Sequence, residues 1–180
     1  MGSEEKKNYI YNVIYRLSIC ILPLVVTPHV ARVLGAEQVG IYAFSSTIAC
    51  YFIMFGKLGL DNYGNRSIAS CRDDIEKRSR VFWGIYFMQL VTSLLSILIF
   101  ILLVLTVFKE NRLIYLMQLM YVASILFDVS WFFYGMEKFR ITMVRSLISR
   151  TLIIILVFAF VHSENDLWIY TGVMSVCFLL

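Results

Sequence analysis

The chain has 180 residues, of which 60% are hydrophobic and only 16% are charged. That charged fraction is too small to cover a soluble domain of this size with a polar shell. The net charge of +4 argues little for nucleic-acid binding, because the basic residues cluster beside long apolar blocks, as membrane topology requires. The composition therefore predicts an integral membrane protein.

Long apolar blocks follow one another along the whole chain. About 20 apolar residues, at ~1.5 Å rise per residue, cross a hydrocarbon core of ~30 Å as a helix. In lipid only a helix pairs all backbone groups within one segment, so we predict an all-α, polytopic transmembrane helix bundle of about six helices. The predicted spans are about 9–34, 38–60, 81–108, 113–134, 143–162 and 167–180. The last one reaches Leu180 after roughly 14 residues, so we expect a truncated or fragmentary chain.

Basic residues are distributed unequally between the two sides of this predicted bundle. One side carries eleven Lys and Arg residues, and the connections on the other side carry three. Cytoplasmic connections are enriched in Lys and Arg, so we expect the N-terminus and the loop 61–80 in the cytoplasm. The eleven residues are Lys6, Lys7, Arg66, Arg72, Lys77, Arg78, Arg80, Lys138, Arg140, Arg145 and Arg150.

The loop 61–80 has an order of its own. Three acid-before-base pairs at i,i+4 predict a short amphipathic helix that runs into the third span. These pairs are Asp73–Lys77, Asp74–Arg78 and Glu76–Arg80.

The first predicted span combines polar residues with two prolines. Asn12 and Arg16 are four residues apart and share one helix face, which we expect to meet other helices or water. Arg16 could instead extend its guanidinium to the cytoplasmic headgroups. Pro23 and Pro28 each remove a backbone donor, so they predict a bent helix, either for packing or as a hinge.

Three more polar residues lie at depth in the fourth and fifth spans. Gln118 and Asp128 belong to a polar stripe at helical spacing, and Arg150 lies inside the fifth span, whereas Arg145 is closer to the headgroups. Two interpretations stay open. Asp128 forms a buried ion pair with one arginine, or these residues line a cavity that recognises an anionic substrate.

Enzymatic and metal chemistry have little support in the sequence. His29 and His162 lack carboxylate companions at ligand spacing, and the four cysteines share no metal-like spacing. The chain has no P-loop, no G-x-S-x-G segment and no paired carboxylates placed for glycoside hydrolysis. We therefore predict no catalytic residues, no metal and no cofactor.

Several stretches of the sequence together carry a family resemblance: Asn12–Tyr15, Thr27–Gly35 (TPHVARVLG), Gly40–Tyr42, Gly59–Arg66 (GLDNYGNR), Asp128–Glu137 (DVSWFFYGME), Ile141–Thr142 and Arg145. They resemble the polysaccharide flippases, the translocases of O-antigen and capsule repeat units in the multidrug/oligosaccharidyl-lipid/polysaccharide exporter superfamily. The resemblance covers most of residues 8–161. Two positions depart from the family pattern: His29 stands where an aromatic residue is usual, and Met136 where leucine or glutamine is usual.

The resemblance implies the N-terminal bundle of a two-bundle transporter with about twelve to fourteen helices in a bacterial inner membrane. The implied substrate is an oligosaccharide repeat unit on undecaprenyl pyrophosphate, flipped to the outer leaflet by alternating access for surface polysaccharide biosynthesis. Its diphosphate suits an arginine-lined cavity. Asp128 would carry a coupling H+ or Na+ or would hold Arg150 in place, and a glycan polymerase is a further expected partner. The predicted cavity residues are Asn12, Arg16, Gln118, Asp128 and Arg150, and the predicted hinge residues are Pro23 and Pro28.

Other functions remain as alternatives. A drug/cation antiporter of the same superfamily would favour acidic cavity residues, whereas arginine exceeds aspartate here. An inactive fragment, or a scaffold within a glycan assembly complex, would need no transport chemistry. A membrane-embedded glycan polymerase or acyltransferase would normally show a large external loop or catalytic His/Asp pairs.

Overall fold

Residues 23–179, the part of the chain that the computed structural model describes, form helices joined by short turns. The first helix, α1, covers residues 23–33. Two 3-10 turns, Ser124–Phe127 and Glu164–Asp166, interrupt the later part of the chain. The other helices are α2 (Gly35–Lys57), α3 (Leu60–Ser70), α4 (Ile75–Thr106), α5 (Arg112–Ala123), α6 (Ser130–Gly135), α7 (Phe139–Phe160) and α8 (Leu167–Leu179).

Four helical segments of the described part are long and apolar enough to cross a membrane. Many large apolar side chains on their outer surfaces are exposed, as lipid contact requires. These findings confirm the predicted all-α polytopic transmembrane bundle. The segments are Gly35–Ser70, Ile75–Thr106, Arg112–Gly135 and Phe139–Phe160.

The charged residues from Ile75 onward in the region 61–80 begin a helix, α4, that runs into the third span, as predicted. An additional helix, α3, precedes it and is separated from α2 by Leu58 and Gly59, which both have positive φ angles (44° and 76°). A new helix, α4, begins at Ile75 after a turn, because the Asp74 carboxylate accepts a hydrogen bond from the Lys77 N–H (3.0 Å) and caps it. Of the three predicted i,i+4 pairs, all within the described residues, one forms an ion pair: Glu76–Arg80 (3.4 Å).

The fourth span is broken, whereas the sequence predicted one continuous helix over 113–134. Helix α5 ends at Ala123, a 3-10 turn follows, and Asp128 is extended (φ −80°, ψ 96°) before α6 begins. The Gln89 side chain on α4 donates to the carbonyl oxygens of Ile125 (2.7 Å) and Asp128 (3.0 Å), at the two ends of the break. The Ile125 oxygen also accepts the backbone N–H of Asp128 (3.3 Å). A side chain of a different helix thus supports the interruption.

Two close helix contacts hold α3 against α6. Gly64 lies under the indole of Trp131, where an added Cβ would come within 2.6 Å of the ring. Gly135 packs in the same way on Ile68, where an added Cβ would come within 2.7 Å of the Ile68 Cβ. Both glycines are needed because no larger residue leaves room for this close approach.

The opposite end of the bundle joins α1 to α7. Nε2 of His29 lies 3.2 Å from the carbonyl oxygen of Val161, and its ring stacks on Phe158 with a centroid distance of 4.3 Å. A histidine at this position therefore still makes an aromatic contact. In the following turn, the backbone N–H groups of His162 and Ser163 donate to the Asp166 carboxylate and hold the pKa of Asp166 below its usual range.

Candidate functional site

Four charged side chains from three separate parts of the chain meet near the break in the fourth span. Lys57 Nζ lies 2.7 Å from Asp128 Oδ2 and 2.9 Å from Asp61 Oδ2. Arg145 Nη2 lies 3.5 Å from the other carboxylate oxygen of Asp128, Oδ1. We call these four residues the charge cluster. Its two cations and two carboxylates balance, so the cluster itself is close to neutral.

Helix ends position the members of this cluster. Lys57 is the last residue of α2, and Asp61 lies in the first turn of α3. The left-handed pair Leu58 and Gly59 redirects the chain between them, while the i,i+4 spacing keeps their side chains within contact. Asp128 is the extended residue two positions before α6, and Arg145 lies in the second turn of α7.

Asp128 is the centre of the cluster. Its Oδ1 accepts hydrogen bonds from the backbone N–H of Ser130 (3.1 Å) and from the Ser130 hydroxyl. Arg145 also donates to the Ser130 hydroxyl oxygen at 2.9 Å. Both carboxylate oxygens therefore have donors, and the side-chain contact to the N–H two residues ahead is the turn that short acidic residues favour outside helices.

The cluster has a supporting residue that sequence reasoning missed. Gln89 is buried, donates to the two carbonyls of the break and accepts from Trp131 Nε1 through its own Oε1 (2.8 Å). Its amide thus uses both its donor and its acceptor to fix the residues on either side of Asp128. The signal was present, because buried polar residues recur along α4 at helical spacing: Gln89, Ser93 and Ser96.

A polar cavity of about 370 Å³ opens beside the charge cluster. We call it the polar cavity, and its walls come from α3, α6 and α7 together with the end of α2. Most of its lining side chains carry a charge, an amide or a hydroxyl. They are Lys57, Asp61, Asn62, Asn65, Asp128, Ser130, Trp131, Tyr134, Thr142, Arg145 and Ser146.

A narrower cleft of about 160 Å³ adjoins the polar cavity between α7 and α8. Arg145, Ser146, Ser149 and Arg150 line one wall, and Cys177 belongs to the other. Arg150 Nε donates to the Ser146 hydroxyl oxygen at 3.2 Å. We call this space the arginine cleft. Arg145 and Ser146 line both spaces, so the two lie side by side at these residues.

The structure brings only part of the predicted site together. Asp128 lines the polar cavity and Arg150 lines the arginine cleft. The arginine in contact with Asp128 is Arg145, not the expected Arg150, which lies five positions further along α7. We expected Arg145 close to the headgroups and did not predict this contact. It forms because the backbone at Asp128 is extended and its carboxylate lies near the start of α7.

The remaining predicted residues lie elsewhere. Gln118 is buried between α5 and α2, 3.5 Å from the Ser45 hydroxyl, and is not among the lining residues of either space. Pro23 and Pro28 fall within the helical residues 23–33, and their hinge role stays a prediction. Asn12 and Arg16 lie outside the described residues. Among residues 23–179, no three His, Cys, Asp or Glu side chains converge as metal ligands would.

Comparison with known proteins gives two matches. A family model described as "Polysaccharide biosynthesis protein" matches residues 6–180. Over 173 residues the chain is 30% identical to the protein named "Putative O-antigen transporter" of Escherichia coli (strain K12). This match covers 94% of the chain but 41% of the relative, so the chain spans less than half of that protein's length. No solved structure matches the chain significantly.

Proposed function

Because the chain belongs to the polysaccharide biosynthesis protein family, we propose that it forms the N-terminal bundle of a two-bundle flippase. This flippase moves oligosaccharide repeat units on undecaprenyl pyrophosphate from the inner to the outer leaflet of a bacterial inner membrane. The N-terminus of the chain lies in the cytoplasm, on the side rich in Lys and Arg. The observation that carries the proposal is the arginine cleft next to a broken transmembrane helix.

The arginine cleft suits the diphosphate of such a substrate. Arg145 and Arg150 both line this cleft, and so do Ser146 and Ser149, which add two hydroxyls. A guanidinium binds phosphate oxygens through two parallel hydrogen bonds, which makes arginine a better partner for phosphate than lysine. The anionic part of the substrate therefore binds in the arginine cleft, and the neutral sugars extend away from it.

Substrate binding changes the contacts of Arg145. Its 3.5 Å contact to Asp128 is long for a hydrogen bond, so a diphosphate with several anionic oxygens competes well for the same guanidinium. Asp128 then keeps Lys57 as its partner, or binds a coupling H+ or Na+. Discontinuous helices with charged residues at the interruption are typical of transporters that alternate between two openings around a central site.

Charge reversal in the intact reading frame tests this function. We expect Arg145→Glu and Arg150→Glu, expressed in a flippase-deficient strain, to reduce surface glycan at least tenfold, because each places a carboxylate against the diphosphate. Arg140→Glu is the matched control, since Arg140 is exposed on the first turn of the same helix and lines neither space. Membrane insertion of each variant is measured by fractionation. Normal surface glycan in both variants would contradict the proposal.

A further inference from the structure

We propose that the polar cavity is a binding site for one sugar ring, the pyranose attached directly to the diphosphate of the substrate. This inference rests on the proposed function, because it uses the arginine cleft as the place of the diphosphate. It adds a site that distinguishes one glycan from another, on residues of α3, α6 and α7.

Two amide side chains supply the main argument. Asn62 and Asn65 lie three residues apart on one face of α3, and both are exposed at the polar cavity. Neither side chain makes a hydrogen bond to another residue of the described part of the chain, so both are available to a ligand. An amide offers two donors and one acceptor, which suits the paired hydroxyls of a sugar ring.

The rest of the lining adds matching chemistry. Asp61 and Ser130 provide oxygen acceptors and a hydroxyl, and Tyr134, 36% exposed, provides an aromatic surface for the C–H face of a ring. Trp131 cannot serve in this way, because it is 1% exposed and its Nε1 is bound to Gln89. Once Arg145 binds the diphosphate, Lys57 faces the two carboxylates of Asp61 and Asp128, so the cavity suits a neutral ring better than a second anion.

Size and position agree with a single ring. A volume of about 370 Å³ lies at the lower end of the range of roughly 300–1,000 Å³ for small-molecule sites. Arg145 and Ser146 line both the polar cavity and the arginine cleft. A diphosphate held at Arg145 and Arg150 therefore places the sugar bonded to it at the mouth of the polar cavity.

Binding of two lipids to the intact full-length protein in nanodiscs tests the inference. The probes are undecaprenyl diphosphate and the same lipid carrying one glucose. We expect the wild type to bind the glucosylated lipid about tenfold more tightly, as two additional hydrogen bonds would give. The double variant Asn62→Ala/Asn65→Ala should lose this preference and keep its affinity for undecaprenyl diphosphate. Asn165→Ala, exposed in the turn before α8, is the matched control and should behave as the wild type.

The possible results separate the two proposals. Equal affinity of the wild type for both lipids would overturn the sugar site while leaving the flippase function intact. Failure of the wild type to bind either lipid would overturn both. A double variant that keeps the wild-type melting temperature but binds both lipids more weakly would also overturn the sugar site, since its asparagines would not act on the sugar. Should the double variant not fold, the single variants Asn62→Ala and Asn65→Ala give the same comparison.

Discussion

Lys57 connects two interruptions of helical structure. Its ammonium group contacts Asp61, which follows the turn at Leu58 and Gly59, and Asp128, which lies in the break of the fourth span. The side chains of Lys57 and Asp128 are each 23% exposed, so water weakens their attraction less than at an open surface. We therefore expect this ion pair to stabilise the protein more than the exposed pair Glu76–Arg80 does.

A double-mutant cycle on Lys57→Met and Asp128→Asn measures that contribution in the full-length protein. Each single variant should lower the free energy of unfolding by about 1–3 kcal/mol, because it leaves a partly buried charge without its partner. The coupling energy between the two should be about 1–2 kcal/mol. Denaturant unfolding in micelles provides the measurement.

The exposed pair Glu76–Arg80 is the control for this cycle. Its side chains are 88% and 83% exposed, and a helical i,i+4 pair of this kind contributes about 0.2–0.5 kcal/mol. A coupling energy for Lys57 and Asp128 no larger than that of the control pair would refute the argument.

At the scale of elements, α3 and α6 are in close contact because Gly64 and Gly135 leave room for the neighbouring side chains. Gly64→Ala should lower stability by about 1–3 kcal/mol, since its Cβ would collide with Trp131 at 2.6 Å. Gly84→Ala in α4 is the matched control, because nothing lies within 4 Å of its added Cβ. That variant should gain about 0.5–1 kcal/mol from helix propensity.

Thermal unfolding of the two glycine variants tests whether the close contact between α3 and α6 stabilises the protein. A melting temperature for Gly64→Ala equal to or above that of Gly84→Ala would mean that α3 and α6 can separate at no cost. The contact between Gly64 and Trp131 would then contribute little to stability. It could not fix the position of α6 or of the nearby residue Asp128.

The long elements were predictable from the sequence, but the interruption was not. The third and fifth spans were predicted because a mainly apolar block of about 20 residues crosses the hydrocarbon core as a helix. The break at Asp128 has neither proline nor glycine beside it, and Gln89 of another helix satisfies its carbonyls. The sequence around Asp128 does not reveal a hydrogen-bond donor that lies on another helix. The helical periodicity of residues 113–134 therefore predicted a continuous helix.

The candidate site, too, was only partly predictable from the sequence. Asp128 was identified because a carboxylate in an apolar span must find a partner. The residues that pair with Asp128 were not identified from the sequence. Lys57 lies at the end of α2 and Arg145 near the start of α7, and basic residues at such positions are expected at the membrane surface. Only the backbone of the break brings these three side chains together.

For the whole molecule, the predicted orientation is open to direct measurement. In a cysteine-free variant of the intact protein, Ser70→Cys should react with a membrane-impermeant thiol reagent only after the inner membrane is permeabilised. Asn165→Cys should react in spheroplasts that are still sealed. Both positions are exposed, so labelling reports the side of the membrane and not burial.

The two cysteine positions are predicted on opposite sides of the membrane, so each serves as the control for the other in the same preparation. The opposite pattern would place the Lys- and Arg-rich side outside the cytoplasm, and the substrate would then have to enter from the outer leaflet. Labelling of both positions in sealed spheroplasts would show that the chain does not cross the membrane between them as we predict.

Helix α4 is longer than a bilayer needs. Its 32 residues extend about 48 Å at ~1.5 Å per residue. The uncharged part, from Val81 to Thr106, still covers about 39 Å against a hydrocarbon core of ~30 Å. This hydrophobic mismatch requires the helix to tilt or the surrounding bilayer to thicken, at a cost of fractions of a kcal/mol per ångström. Since α4 carries Gln89, the acyl-chain length of the host lipids acts on the helix that supports the break at Asp128.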